Sequence, residues 1–253
     1  PINNLHAILD MKFVDWFPYY QDIRRRFGYS TETDQQAGEV LSKLIKRKAL
    51  DVKILRRKIE GKQVVVIGAG KSLENNIVFL KKSKKSVKIV ADGAVQALIE
   101  RKIRPDIVVT DLDGNLQSLF EAERNGAIMV VHAHSDNIEK LKKFIPKFKH
   151  VIGSTQMMPV KNVYNFGGFT DGDRCAFLAE EFGASEIILV GMDFGREIGR
   201  YSKEIVKDPK LKMEKMKVAR RLLEMLSRRS HSKLFDTSKR PIKGYAHFVV
   251  ELP

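Results

Sequence analysis

The chain carries a single cysteine among its 253 residues. With one thiol, Cys175, no intrachain disulfide can form, and a reducing, cytoplasmic compartment is the expectation. Cys175 follows Asp173-Arg174 and precedes an apolar stretch, which reads as a small packing residue rather than a nucleophile. No apolar run reaches the ~18 residues of a membrane span. The first ten residues lack the basic-then-apolar pattern of a secretory signal. Zinc-finger spacings and RNP-type aromatic motifs are missing too. These absences argue against a membrane protein, a disulfide scaffold and a sequence-specific nucleic-acid module.

Acidic residues are outnumbered, 31 Asp+Glu against 46 Lys+Arg, for a net charge of +15. Such a balance attracts polyanions, nucleotide phosphates among them. The basic residues cluster at 43–62, 81–88, 140–149 and 203–243, mostly interleaved with Leu, Ile, Val or Met at helical spacing. That interleaving reads as solvated helix faces of a lysine-rich protein.

Periodicity divides the chain in two. Trp16, Tyr19, Tyr20, Ile23 and Phe27 recur at helical spacing until Gly28 stops the helix. Ser30-Thr-Glu-Thr-Asp34 offers caps for a second helix bearing Val40, Leu41, Leu44 and Ile45, and a third covers 51–60. A helical region over 1–61 therefore precedes an α/β domain over 62–253, and the aromatic stripe reads as core. Strands are expected at 64–67, 87–91, 107–110, 127–131, 150–152, 163–166 and 187–190, with helices between several of them. The tail is basic and helical to Arg229, with an edge strand at 246–250. Strands alternating with helices give a doubly wound, mostly parallel sheet in a three-layer α/β core. Ligands of such sheets bind beyond the carboxyl ends of the strands. Here those ends carry Asp92, Asp111, Asp113, His132, His134, Thr155, Asp171, Asp173 and Asp193.

The most telling stretch is Thr110-Asp-Leu-Asp-Gly114. In an extended segment residues i and i+2 share a side, so Asp111 and Asp113 would repel unless a cation lay between them. Hard carboxylate oxygens suit Mg2+, and Mg2+ suits phosphate chemistry; the plainer reading is a polar turn. Gly68-Ala-Gly-Lys-Ser72 follows a strand and opens a helix, where the amides of Gly68, Gly70, Lys71 and Ser72 can hold phosphate or simply make a tight turn. It lacks the spacer of a Walker A motif, and Asn75 breaks a GxGxxG pattern. His132 and His134 alternate along an extended segment and suit hydrogen bonds to substrate or phosphate. Asp171, Asp173 and Arg174 open a helix, as site residues or as a cap with an ion pair. Asp193, between Gly191 and Gly195, is another strand-end carboxylate or a turn residue.

Three families share parts of this pattern. Residues 108–116 resemble the first motif of haloacid-dehalogenase-type phosphatases, which implies Asp111 as nucleophile and Asp113 as acid-base. That motif usually opens its domain, however, and Asn115 replaces the usual Thr. Asp92-Gly-Ala94, Pro105-Asp106 and Asp111-Leu-Asp113 resemble the thiamin pyrophosphokinase core, which implies Mg2+ on Asp92, Asp111 and Asp113. Gly114 departs from the Ser common there. The fullest match is to the archaeal 6-hydroxymethyl-7,8-dihydropterin pyrophosphokinases, which share that core. It runs from Asp15-Trp16 through Gly68-Ala-Gly70, Ala91-Asp-Gly93, the Asp111 element, His132-Ala-His134, Asp136-Asn137, Phe169-Thr-Asp-Gly-Asp-Arg174 and Gly191-Met-Asp-Phe-Gly195 to Tyr201-Ser-Lys203. Ser135 and Cys175 are mild departures.

This resemblance implies diphosphoryl transfer from ATP to a hydroxymethyl-dihydropterin, with Mg2+ as cofactor and AMP released. Asp92, Asp111 and Asp113 would hold the metal. The 68–72 loop, His132, His134, Asp173 and Lys203 would contact ATP, and Arg174 with Lys203 would face the equatorial oxygens. Asp171 or Asp173 would orient the attacking hydroxyl. Asn137, Gln156 and Asn165 are candidates for the pterin ring, and a homodimer is compatible with the pattern. A basic nucleic-acid-binding module and a dinucleotide-binding dehydrogenase remain as readings from other classes.

Overall fold

A computed structural model describes residues 13–194, 199–201 and 208–250. Within them lies one sheet of nine strands: β1 (Gln63–Ile67), β2 (Val87–Ala91), β3 (Ile107–Thr110), β4 (Ile128–Ala133), β5 (Val151–Thr155), β6 (Val163–Tyr164), β7 (Glu186–Val190), β8 (Lys233–Asp236) and β9 (Ala246–His247). Their order is β6-β5-β4-β3-β2-β1-β7-β8-β9, and every pair is parallel. The expectation of a mostly parallel sheet becomes a wholly parallel one.

The apolar strand runs follow from burial on both faces. Val64, Val66, Ile89, Ile107, Val109, Ile187 and Leu189 point to one face. Their alternates Val65, Ile67, Val90, Val108, Ile188 and Val190 point to the other. The first face is covered by α1 (Phe13–Phe27), α3 (Lys53–Ile59), α8 (Asp171–Glu181) and α9 (Pro209–Leu226). The second is covered by α2 (Thr31–Leu44), α4 (Ile77–Lys82), α5 (Asp92–Glu100), α6 (Leu116–Arg124) and α7 (Ile138–Phe144).

The N-terminal helices thus straddle the sheet. Trp16 and Tyr20 of α1 are fully buried in one layer, and Leu41 of α2 in the other. Of the stripe, Trp16, Tyr20 and Ile23 are core as its spacing indicated, Phe27 is partly buried, and Tyr19 is exposed. Cys175 is buried in the same layer, and burial holds its thiol well above the usual range, consistent with packing.

Chain direction places the site. From β1 the strands step outward to β6, then α8 returns the chain and β7 pairs with the other side of β1. The strand order reverses between β1 and β7, and a cleft opens beyond their carboxyl ends, lined in part by Gly68, Gly70, Gly191 and Asp193. The tail differs from expectation. Helix α9 ends at Leu226, β8 escaped notice because Lys233-Leu-Phe-Asp236 carries charges at both ends, and β9 keeps only two of the residues expected at 246–250.

Replacing Trp16 by Ala should lower stability by about 3–5 kcal/mol, the usual cost of emptying a large core site. Denaturant titration reads this directly. A change below about 0.5 kcal/mol, typical of surface positions, would show α1 to be peripheral.

Candidate active site

Strand ends β2 and β3 bring three carboxylates together. Asp92, Asp111 and Asp113 each offer an oxygen within 4.8 Å of the others. Their convergence does not come from strand alternation. β3 stops at Thr110, and Leu112 takes a left-handed φ of 65° while its side chain is buried in the core. A branched side chain in that region costs on the order of 1 kcal/mol. The Thr110 hydroxyl accepts the Leu112 N–H at 2.8 Å and donates to Asp92 Oδ2 at 2.5 Å, stitching the turn to β2. The same Oδ2 accepts the Asp113 and Gly114 amides, each at 3.2 Å. A Cβ on Gly114 would collide with the Asp92 carboxylate. Glycine at 114 is therefore what lets the two segments close.

Asp92 is buried, and its Oδ1 has no hydrogen-bond partner among the described residues. Burial, and next the Asp111 carboxylate, push its carboxyl up to about 7. Asp171, the first residue of α8, is held well above the usual carboxylate range by burial and then by Asp111, Asp92 and Asp113. Like charges crowded in a dry site cost several kcal/mol unless a cation or a proton intervenes. An unsatisfied buried oxygen and three hard oxygen donors fit Mg2+.

β4 adds two stacked imidazoles, His132 and His134, with ring centres 6.0 Å apart. His134 Nδ1 accepts the Asp136 amide, so a neutral ring carries its proton on Nε2, which lies 3.4 Å from Asp111 Oδ2. His132 is buried beside Ser154, and burial, then Arg174 and His134, keep its ring well below the usual histidine range and hence neutral. Asn137 ties β3 to β4. Its Nδ2 donates to the Asp111 and His132 carbonyls at 2.9 and 2.7 Å, and its Oδ1 accepts the His134 amide at 3.1 Å.

Asp111, Asp113, Asp171, His132 and His134 line a cleft of about 640 Å3 that reaches the switch point, while Asp92 is buried beside it. Gly68 and Gly70 line it, but the loop is not an amide cradle as folded. Gly68 N–H donates to the Val190 carbonyl, Gly70 N–H to the Gly191 carbonyl, and Ser72 N–H to Asp193 Oδ2 at 2.6 Å. Lys71 and Ser72 enter a short 3-10 turn and are not among the lining residues. A Cβ on Gly70 would come within 2.6 Å of the Gly191 carbonyl, so the glycines allow the β1 and β7 loops to touch.

The α8 entrance also sorts its residues. Asp173 is spent as a cap: it accepts the Phe169 and Thr170 amides at 2.7 and 2.8 Å and the Thr170 hydroxyl. Burial raises its carboxyl. Arg174, expected at phosphate oxygens, lines the cleft and donates to the Gly167 and Phe169 carbonyls at 3.2 and 3.1 Å, with Nε left unpartnered among the described residues. It anchors the glycine loop and supplies one buried positive charge near the carboxylates. Only Asp171 of the expected pair lines the cleft. Lys203 lies outside the described residues.

Several lining residues were missed in the sequence. Tyr29 and Phe169 form an aromatic wall, backed by Phe27 at 5.1 Å from Phe169, with the Lys215 ammonium 5.6 Å from the Tyr29 ring centre. Lys212 and Lys215 come from α9, whose basic cluster was the only hint. Asp34, fully buried in α2, reaches the site's far side: it accepts the Ser135 amide at 2.8 Å and the Gln156 Nε2–H at 2.6 Å. No local pattern marks this role, since Ser135 and Gln156 lie 101 and 122 residues away.

Residues 39–199 match the profile of the family described as 6-hydroxymethylpterin diphosphokinase MptE-like. A Pyrococcus furiosus protein named 6-hydroxymethyl-7,8-dihydropterin pyrophosphokinase is 46% identical over 237 residues, 90% of this chain and 100% of its own. Its namesake in Methanocaldococcus jannaschii is 43% identical over 233 residues, 86% of this chain and 96% of its own. That of Methanothermobacter thermautotrophicus is 36% identical over 224 residues, with the same coverage. Among solved structures, the MAf glycosyltransferase of Magnetospirillum magneticum AMB-1 aligns with 77% of the chain at TM-score 0.47 and 15% identity. The chain spans 36% of that protein, and so loose a likeness carries no argument.

The geometry gives two expected outcomes. Gly114→Ala should displace the Asp92 carboxylate and weaken Mg2+ binding about tenfold or more, read by titration calorimetry; unchanged affinity would separate Asp92 from the metal. The second concerns pH. In the fold Asp92 keeps its proton at pH values where the unfolded chain has lost it. Its contribution to the stability of the metal-free protein is complete below about 3.8 and fades as the pH climbs through about 7. The rise in Tm on adding Mg2+ should therefore grow between pH 6 and 8, and less so in Asp92→Asn.

Proposed function

This chain belongs to the MptE-like 6-hydroxymethylpterin diphosphokinase family and is on that ground a diphosphotransferase acting on a hydroxymethyl-dihydropterin; we propose that ATP is its donor and Mg2+ its metal. The β,γ-diphosphoryl group passes to the hydroxymethyl oxygen. The bond between Pβ and the α,β-bridging oxygen breaks, a bond from Pβ to the pterin oxygen forms, and AMP leaves. The observation that carries this reading is the convergence of Asp92, Asp111 and Asp113, the last two of which line a cleft that also carries glycines and aromatic rings.

Asp111 and Asp113, with Asp92 assisting, are the residues that hold Mg2+, which when bound neutralises charge on the phosphate oxygens. Thr110 and the Asp113 and Gly114 amides fix the Asp92 carboxylate, so the donor set is oriented before any ligand arrives. His134 presents its Nε2 to Asp111 Oδ2 and steadies that carboxylate.

Asp171 is our candidate for receiving the hydroxyl proton. Burial and three neighbouring carboxylates give it the raised proton affinity that a base working near neutral pH needs. The lysines of α9 add positive charge to the cleft, which draws in a polyphosphate. With Asp173 occupied as a cap, phosphate contacts are assigned to Lys212 and Lys215, with Arg174 as a further positive charge lining the cleft.

The test is incubation with ATP, Mg2+ and 6-hydroxymethyl-7,8-dihydropterin, with products separated by chromatography. AMP should appear in step with a pterin diphosphate and vanish when the pterin is omitted. EDTA should stop the reaction and Mg2+ restore it. Asp111→Asn and Asp113→Asn should each lower kcat by about a hundredfold to a thousandfold while the fold persists. ADP or free phosphate without AMP would instead point to a simple kinase or a phosphatase using Asp111 as nucleophile.

A further inference from the structure

We infer that Gln156 forms a subsite for the amino-pyrimidinone edge of the acceptor ring, aimed from behind by Asp34 and Tyr20; this rests on the pterin reading above. Three side-chain amides stand near the carboxyl ends of β4 to β6, and their bonding separates them. Asn137 spends both ends on the main chain of 111, 132 and 134. Asn165 does likewise, donating to the Met157 carbonyl at 3.0 Å and accepting the Gly167 amide at 3.0 Å. Gln156 differs. It is 3% exposed, lines the cleft and uses only its Nε2, which donates to Asp34 Oδ2 at 2.6 Å. Its Oε1 has no protein partner among the described residues and is not sealed off from solvent.

The amide can face only one way. Asp34 Oδ2 also receives the Tyr20 hydroxyl at 2.8 Å, and Oδ1 receives the Ser135 amide at 2.8 Å. A carboxylate gathering three donors cannot accommodate Oε1, so the donor end of Gln156 must point at it. The Trp16 indole N–H, bonded to the Gln156 carbonyl at 2.9 Å, pins the main chain as well. What remains at the cleft is a buried, oriented acceptor that no described residue engages.

That one-sidedness selects the ligand. The amino group and adjacent ring N–H of a 2-amino-4-oxopyrimidine make an edge of donors, which an acceptor alone can read. The amino group of adenine is flanked by ring-nitrogen acceptors, and the two-point grip of an amide on adenine needs a free N–H. Gln156 has committed its own to Asp34. The Tyr29 and Phe169 rings, lining the same cleft, supply the apolar surface that a flat heterocycle covers.

The test compares KM values for pterin and ATP in wild type, Gln156→Met and Asp34→Asn, together with equilibrium binding of the pterin and its 2-desamino analogue followed by fluorescence without ATP. Gln156→Met should raise the pterin KM about tenfold to a hundredfold, the cost of one lost buried hydrogen bond, and leave the ATP KM within twofold. Asp34 is a positioning residue: Asp34→Asn should move the pterin KM in the same direction and largely spare kcat, a split that general loosening of the fold would not produce. Wild type should bind the 2-desamino analogue more weakly by a similar factor, and Gln156→Met should not discriminate. A rise in the ATP KM with the pterin KM unmoved would overturn the assignment. So would equal wild-type affinity for the two pterins, a result that needs no variant to fold. Absence of AMP in the wild-type reaction would strike the transfer chemistry alone, because the binding comparison stands without turnover.

Discussion

Crowding of like charge at the carboxyl ends of β2 and β3 is the constraint on which the rest of the site depends. Asp92, Asp111, Asp113 and the α8 residue Asp171 share a partly buried corner near the buried guanidinium of Arg174. In a low-dielectric setting such a group is tolerable only when protons or a metal offset it. The surroundings are arranged to keep the carboxylates in place regardless. Leu112 accepts an unfavourable backbone conformation, Gly114 gives up its side chain, and Thr110 bridges the two strand ends. Stability is conceded locally so that a charged ligand finds a formed site.

The remainder of the fold makes that concession tolerable. A wholly parallel sheet buried on both faces supplies a rigid floor, and its reversal between β1 and β7 provides the crevice. Helices α1 and α2 cover opposite faces yet meet through Tyr20 and Asp34, behind the loop that follows β5. Burial, then the Asp34 charge, drives the Tyr20 hydroxyl further above its usual range, so it stays a donor at any ordinary pH. The N-terminal helices thus complete both layers and, through Asp34 and Gln156, reach the cleft wall.

Much of this was legible in the residues. The strands at 87–91 and 107–110 were expected at their observed bounds, since β-branched runs between turn residues leave few alternatives. The acidic motif was also found, but for an incomplete reason: alternation on an extended strand was to bring Asp111 and Asp113 together, whereas a left-handed Leu112 does so. Strand β8 was missed because four residues with charged ends carry no periodic signal. Asp173 and Arg174 looked functional by composition; that Asp173 caps α8, and that Arg174 holds two loop carbonyls while also lining the cleft, becomes visible only when their partners are placed.

The sequence by itself determined the layer architecture, the edge at which polar groups gather and the chemistry of the acidic cluster. Those follow from periodicity and residue type, which act over a few positions. Tertiary structure alone decided which polar groups are spent and which remain available. Asn137, Asn165 and Gln156 are chemically alike, and only the third keeps an acceptor for a ligand, because Asp34, 122 residues earlier, takes its donor. Hydrogen-bond satisfaction is a property of neighbours in space, and no local pattern carries it.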